Sequence, residues 1–146
     1  MEHLPDSIVP EILAVHAHTG CDTTSYMANH SKRSAWKVFK ENHELLKDIG
    51  VGDLTDEITS SAEKFVCRLY NVTQTDSVDQ ARYILFSKTG KPESLCPTKD
   101  ALVLHLKRVH YQTMVWRHAD CAVPTLPNPV DMGWKLSDEG LQPILM

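Results

Sequence analysis

The chain has 146 residues, of which 42% are hydrophobic, and a formal net charge of −4. This length fits one domain with a buried core, and the mild negative charge argues against a protein that coats nucleic acid over its whole surface. No run of about 18 apolar residues is present, which excludes a membrane-spanning helix.

The cysteine pattern bears on the compartment. The four cysteines, Cys21, Cys67, Cys96 and Cys121, form no C-x-x-C pair and are sparse for a disulfide-stapled scaffold. The N-terminal decapeptide is acidic and contains two prolines, so it lacks the features of a secretory signal. We therefore interpret the cysteines as reduced thiols of an intracellular protein, nuclear or cytoplasmic.

Apolar spacing and capping residues predict a mainly α-helical fold of about five helices. The helices are expected at residues 7–18, 31–39, 55–70, 77–87 and 97–118, with a shorter one at 44–49. Pro97 is expected at the first helical position of the longest one. Prolines at 124, 127 and 129 predict an extended segment over 122–132, and residues 133–136 are expected to pair weakly with 141–145. This divides the chain into a helical module, 1–121, and an extended tail, 122–146, that packs on it.

The first predicted helix is apolar on most sides, which is typical of a helix covered on most sides. Its apolar residues are Ile8, Val9, Ile12, Leu13, Ala14, Val15 and Ala17. For an N-terminal helix this suggests cover from an element upstream.

A helix-turn-helix elbow over residues 14–39 carries the most informative chemistry. Gly20 ends the first helix, and Asp22 follows with hydroxyls at Thr23, Thr24 and Ser25. A carboxylate beside hydroxyls suits a hard cation such as Mg²⁺. Magnesium sites of phosphoryl chemistry use several acids, so the alternative is that Asp22 or a hydroxyl caps the next turn.

The second helix of the elbow is basic. Lys32, Arg33, Lys37 and Lys40 lie within residues 30–40, which contain no acid. Such residues on one helix predict weak, salt-sensitive contacts to phosphates, and a helix N-terminus adds backbone amides that favour phosphate. The alternative is a solvated helix face, with Glu41 and Glu44 neutralising the charge.

Two sets of zinc ligands are also conceivable. The first comprises His16, His18, Cys21 and Asp22, but residues two apart on a helix face nearly opposite ways. The second comprises Cys96, His105, His110, His118 and Cys121, but residues five apart on a helix point about 140° apart. Neither set contains a close cysteine pair, so zinc is the weaker interpretation of both.

At residues 13–50 the apolar helix, Gly-Cys-Asp, turn, Lys-rich helix and Glu-Leu-Leu resemble the helix-two-turn-helix segment of flap-endonuclease-class nucleases. The catalytic part of that class is a PIN-like domain. The resemblance implies that Asp22 occupies the position of a late aspartate in an acidic cluster that binds two Mg²⁺ ions. The glycines of the family's turn are missing from Ala28-Asn29-His30-Ser31, and Thr23 replaces an aromatic residue. Close approach of a DNA backbone, which glycine permits, is therefore less expected here.

A second resemblance covers most of the chain. The segments HAHTGCDTTS, SAWKVF, EKFVCRLYN, CPTKDALVLHLKRVHYQTMVW and GWKLSDEGLQPILM resemble the C-terminal part of a family of uncharacterised animal proteins that usually carry HALTGCDTTS. Family members usually end in a Gly-Trp-Lys…Pro-Trp-Met tail, whereas the second tryptophan is replaced here. The resemblance implies a PIN-like sheet upstream of the first helix, which would supply the remaining acids.

The expected function is that of a truncated PIN-like, flap-endonuclease-like segment that binds nucleic acid weakly and without sequence preference and is not catalytic alone. It needs no cofactor by itself, and Mg²⁺ enters only if a PIN-like sheet completes the site. One alternative is half of a two-chain Mg²⁺-dependent nuclease, which predicts an exposed apolar patch on residues 7–18. Another is a protein-interaction module or a gene fragment without a selected function. No membrane partner is expected, and the oligomeric state is left open.

Overall fold

The computed structural model describes residues 9–20, 31–122 and 126–144. Within these ranges the α-helices are α1 (Val9–His18), α2 (Lys32–Asn42), α3 (Asp56–Leu69), α4 (Val78–Thr89) and α5 (Lys99–Arg117), followed by the strands β1 (Trp134–Ser137) and β2 (Gly140–Pro143). Short 3-10 turns occupy His43–Leu46, Pro92–Ser94 and Pro129–Asp131. The prediction of a mainly helical chain with a small terminal hairpin is confirmed.

Side-chain caps explain where four of the helices begin. Ser31, Thr55, Ser77 and Thr98 each accept a hydrogen bond from a backbone N–H in the first turn of the following helix. Each cap satisfies one of the N–H groups that a helix start leaves without an intrahelical partner. At its other end, α4 stops at Gly90, whose φ of 64° is left-handed and suits glycine.

Three local predictions need correction. Pro97 precedes α5 rather than opening it, because Thr98 supplies the cap and Lys99 is the first helical residue. The helix expected at 44–49 is a 3-10 turn that continues directly from α2. The tail is not wholly extended, since Pro129 opens a 3-10 turn, a position where the missing proline N–H leaves no bond unmade.

The core lies where α1 and α5 pack together and where α3 closes over them. The largest apolar side chains that are fully buried are Phe39, Leu46, Ile49, Phe65, Val66, Val72, Val78, Leu102, Leu106 and Val109. They come from every helix after α1 and from the segments between helices, so the described α-helices share one core.

Helix α1 is covered by elements of its own chain. It contacts α2, the turn at His43–Leu46 and α5. Of the side chains at 11–18, Glu11, Ala14, Val15, Ala17 and His18 are buried and only His16 is exposed. The apolar character of this helix is therefore explained by these neighbours, and the exposed apolar patch that the two-chain alternative predicts is not present on its described side chains.

The C-terminal hairpin is attached to α5 through Arg108. In the antiparallel register Trp134 pairs with Pro143 and Leu136 with Leu141. The buried Arg108 donates from Nη1 to the carbonyl oxygens of Gly133, at 3.3 Å, and Ile144, at 3.2 Å. Both ends of the hairpin are thus held by one guanidinium group. A Cβ at Gly133 would lie 2.9 Å from the carbonyl oxygen of Leu104, so glycine permits this close approach.

Candidate nucleic-acid interface

The predicted metal position lies outside the described residues. The structure describes the chain up to Gly20 and again from Ser31. Asp22, the neighbouring hydroxyls and the turn at 28–30 fall between these points. The geometry that bears on a nucleic-acid site is therefore that of the two helices on either side.

Lys32 joins these two helices. Its Nζ donates to the carbonyl oxygen of His16 at 3.0 Å and to Oγ1 of Thr19 at 3.1 Å. Thr19 in turn donates from Oγ1 to the carbonyl oxygen of Val15 at 2.7 Å. A cation at a helix C-terminus satisfies free carbonyl groups and opposes the negative end of the helix dipole. Lys32, predicted as a phosphate contact, thus has an intramolecular role in capping α1.

The other predicted basic residues lie on the outside of α2. Arg33, Lys37 and Lys40 are exposed and are spaced by four and then three residues, which aligns them along one side of the helix. The opposite side carries Ala35 and Phe39, which are buried. Across the described ranges, Arg33 and Lys37 form no ion pair or side-chain hydrogen bond. Their charges are therefore available to a phosphate group.

An acidic groove begins where this basic row ends. Glu44, Asp48, Asp53 and Glu57 line a depression of about 440 Å³ together with Lys47. Because α2 continues directly into the turn that contains Glu44, basic side chains give way to acidic ones along this surface. The acidic side chains would repel a polyanion that extended past Lys40.

The two histidines of the first zinc set face opposite sides of α1, as their spacing predicts. The ring of His16 is at the surface and stacks on Trp116, with centroids 5.4 Å apart. The ring of His18 is fully buried beside Phe65 and His105, with centroids at 5.7 and 5.2 Å. Among the described residues, neither ring nitrogen of His18 has a hydrogen-bond partner. Burial, and secondarily the charge of His105, lower the pKa of His18 well below its ordinary value.

Two histidines of the second zinc set, His105 and His110, form hydrogen bonds to different parts of the backbone. His105 donates from Nε2 to the carbonyl oxygen of His18 at 2.9 Å, which fixes α5 against the end of α1. His110 lies between the N–H of Gly50 and the carbonyl oxygen of Gly52. Burial lowers the pKa of His105 to about 4 and also lowers that of His110. Both histidines are buried.

The two cysteines of that set also have surroundings that differ from those of the histidines. Cys96 is buried and donates from Sγ to the carbonyl oxygen of Val78 at 3.5 Å, whereas Cys121 is exposed. Burial raises the pKa of the Cys96 thiol to about 11. In the described ranges, no group of three or more Cys, His, Asp or Glu side chains is arranged to share a metal ion.

Sequence reasoning did not single out two other features. Arg108 was not recognised as the anchor of the hairpin, and no local pattern signals that role. Tyr83 and Phe86 are exposed on α4. The exposure of Tyr83 could have been expected, because it lies on the side of the helix opposite Val78, Ala81 and Leu85, whereas Phe86 lies on the flank of these three residues.

No protein-family model, curated protein or solved structure matches this chain. The family resemblances therefore depend on the quoted motifs alone. In the described part of the chain, none of the helices combines the length and the apolarity that crossing a bilayer requires.

Proposed function

We propose that this chain is a nuclease-like helical segment that binds nucleic acid weakly through phosphate and does not cut it alone. The observation that carries the proposal is the exposed basic row of α2, in which Arg33 and Lys37 have no ionic partner among the described residues. Since phosphates are common to all sequences, contacts of this kind carry no base preference.

The affinity of such a site is limited by its size and surroundings. Arg33 and Lys37 can each neutralise one phosphate, and Lys40 lies next to the acidic side of the surface. Lys32 is already bonded to α1. With two or three contacts, binding falls steeply as salt rises, by a slope of about 0.7 per phosphate for a single strand and about 0.9 for a duplex.

The catalytic part of the proposal rests on Asp22 and on the resemblance to PIN-like nucleases. One carboxylate does not hold two magnesium ions, so hydrolysis of a phosphodiester would need acids from a PIN-like sheet. The proposal gives Asp22 the role of sharing a metal with those acids and gives α2 the role of holding the substrate backbone.

Fluorescence anisotropy with labelled duplex and single-stranded DNA tests the binding proposal. We expect measurable binding at about 50 mM salt and its loss at about 200 mM. In Arg33→Gln/Lys37→Gln the slope of log K against log salt on duplex should fall by about 1.8. The matched control, Lys107→Gln/Lys135→Gln, removes the same net charge elsewhere and should keep the slope. Equal losses in both variants would contradict a site on α2.

Incubation of the purified chain with flap and single-stranded DNA and Mg²⁺ tests the catalytic part. We expect no cleavage. Robust cleavage that disappears in Asp22→Ala would show that the chain is active alone and would overturn this part of the proposal. The result of the cleavage assay does not affect the test of nucleic-acid binding by α2.

A further inference from the structure

A pocket of about 450 Å³ lies beside the C-terminal end of α5, and we call it the tail pocket. Three segments that are distant in sequence form its walls: the turn at 52–54, the last turn of α5 and part of the tail at 126–132. Most of its lining is apolar and comes from Leu54, Met114, Leu126, Pro127 and Met132. Small-molecule sites in proteins have volumes of about 300–1,000 Å³ and mainly apolar walls, so the size and the lining both suit a small ligand.

Hydrogen bonds to α5 hold two of these walls in place. His110 of α5 donates to the carbonyl oxygen of Gly52, in the turn, at 2.7 Å. Arg108 of α5 donates to the carbonyl oxygen of Gly133, which follows Met132 in the tail, at 3.3 Å. The walls of the tail pocket are therefore positioned by the fold itself, which lowers the ordering cost that a ligand has to offset when it binds.

Two polar side chains line the tail pocket, and both present hydrogen-bond acceptors. Asp53 is exposed, and within the described ranges its carboxylate forms no ion pair or hydrogen bond. His118 donates from Nδ1 to the carbonyl oxygen of Met114 at 2.8 Å, so Nε2 is an acceptor in the neutral ring. No Lys or Arg side chain is among the described residues that line the pocket. A ligand that donates hydrogen bonds therefore fits its polar side chains.

The end of α5 favours positive charge in the same pocket. Met114 lies in the last turn of this 19-residue helix and His118 is its C-cap. The C-terminal end of a helix carries a partial negative charge, because its last carbonyl groups have no intrahelical partner. This negative end and the carboxylate of Asp53 both attract a cation and repel an anion. The charge of the site and its apolar walls together describe a ligand that is apolar and carries a positive group.

We propose that the tail pocket binds a small organic amine, with its protonated amino group beside Asp53 and His118 and its apolar body against the two methionines. An ammonium group donates hydrogen bonds and accepts none. Methionine side chains are unbranched and adapt to the shape of a ligand. None of the described residues that line the pocket belongs to α2, so this inference goes beyond the proposed binding of nucleic acid.

Titrations of isotope-labelled protein, followed by amide NMR, provide the test with probes that share one aromatic ring. Benzylamine is protonated at about pH 7, benzyl alcohol is neutral and benzoate is negative. We expect benzylamine to bind with a Kd of about 1 mM or below and to shift the amide signals of Gly52, Leu54 and Met132. Benzyl alcohol should bind about fivefold more weakly, and benzoate more weakly still. Asp53→Asn should reduce the affinity for benzylamine by about fivefold, to that for benzyl alcohol.

The matched control is Asp48→Asn, which removes the same charge from the neighbouring acidic groove and should leave the affinity for benzylamine unchanged. Since Asp53 lines both depressions, this control separates them. The inference is overturned if benzyl alcohol binds as tightly as benzylamine, if Asp53→Asn has no effect, or if Asp48→Asn weakens binding as much. It is also overturned if none of the probes binds, or if the amide shifts fall on Lys47 and Asp48. The amide spectra themselves show whether each variant keeps its fold.

Discussion

The Nδ1 atom of His110 accepts a hydrogen bond from the backbone N–H of Gly50 at 2.9 Å. An accepting Nδ1 places the ring proton on Nε2, which donates to the carbonyl oxygen of Gly52 at 2.7 Å. One neutral imidazole thus holds both ends of the turn that leads from α2 towards α3. A second proton on Nδ1 would abolish the bond to Gly50.

Acid should destabilise the protein through its buried histidines. Burial lowers the pKa values of His18, His105 and His110, so the unfolded chain binds protons more readily than the folded chain does. The stability that these residues supply is therefore present above the unfolded pKa of about 6.5 and is lost as pH falls towards the folded values, which for His105 is about 4. Urea unfolding should give a constant free energy from about pH 8 to pH 7 and a decrease below about pH 6.5, of up to about 1.4 kcal/mol per pH unit for each histidine. A flat profile to about pH 4.5 would contradict this prediction.

His18 and His105 should respond oppositely to the same substitution. His18→Leu removes two buried nitrogens that have no hydrogen-bond partner among the described residues, so we expect the free energy of unfolding to rise by about 1 kcal/mol. His105→Leu leaves the buried carbonyl group of His18 without its hydrogen-bond donor. We therefore expect this substitution to lower the free energy of unfolding by about 1–3 kcal/mol. Urea denaturation near pH 8 compares the two variants while both rings are neutral. Destabilisation by His18→Leu would mean that the imidazole makes an attractive interaction.

A pair of glycines isolates the effect of crowding from that of backbone strain. Gly50 and Gly52 both have positive φ, 84° and 63°, so alanine is strained at either position. A Cβ at Gly50 would lie 2.6 Å from Cγ2 of Thr113 and 3.1 Å from the backbone nitrogen of Met114, whereas a Cβ at Gly52 meets nothing within 4 Å. Gly50→Ala should therefore lower the free energy of unfolding by about 1–3 kcal/mol more than Gly52→Ala does. Thermal or urea unfolding measures this difference. Equal costs would show that the turn moves away from α5 easily.

The attachment of the hairpin should depend on Arg108. Arg108→Met keeps an apolar stem but removes the donors to Gly133 and Ile144, and hydrogen bonds from a charged group contribute about 1.5–3 kcal/mol. We expect faster hydrogen exchange across Trp134–Ser137 and Gly140–Pro143 with little change in α3. Lys107→Met, at the adjacent position, is the control and should preserve the exchange pattern. Unchanged exchange in Arg108→Met would show that other contacts hold the hairpin.

The sequence predicted the helices well because their information is local. Thr55 and Ser77 cap the helices expected to begin beside them. Of the apolar positions expected to face inward on α3, Ala62, Phe65 and Leu69 are buried and Ile58 is half-buried. The predicted helix boundaries were less accurate where two adjacent residues can both mark a helix start. Pro97 was expected to be the first residue of α5, but Thr98 is the N-cap and the helix begins at Lys99.

The polar interior of α5 could not be predicted in the same way. His105, Arg108 and His110 are buried on a helix that has several packed sides. Their partners lie far away in the sequence, at His18, Gly133 and Gly50. The spacing of apolar residues predicts which side of a helix faces the core. It contains no information on which distant carbonyl group a buried cation or ring will contact. For α2 the sequence predicted the exposed positions of the basic residues correctly and missed that Lys32 is bonded to α1.

The bond from Lys32 to the last turn of α1 has a consequence for how the two helices can move. It fastens the first turn of α2 to the C-terminal end of α1. These two helix ends are therefore expected to shift together, as one body, rather than separately.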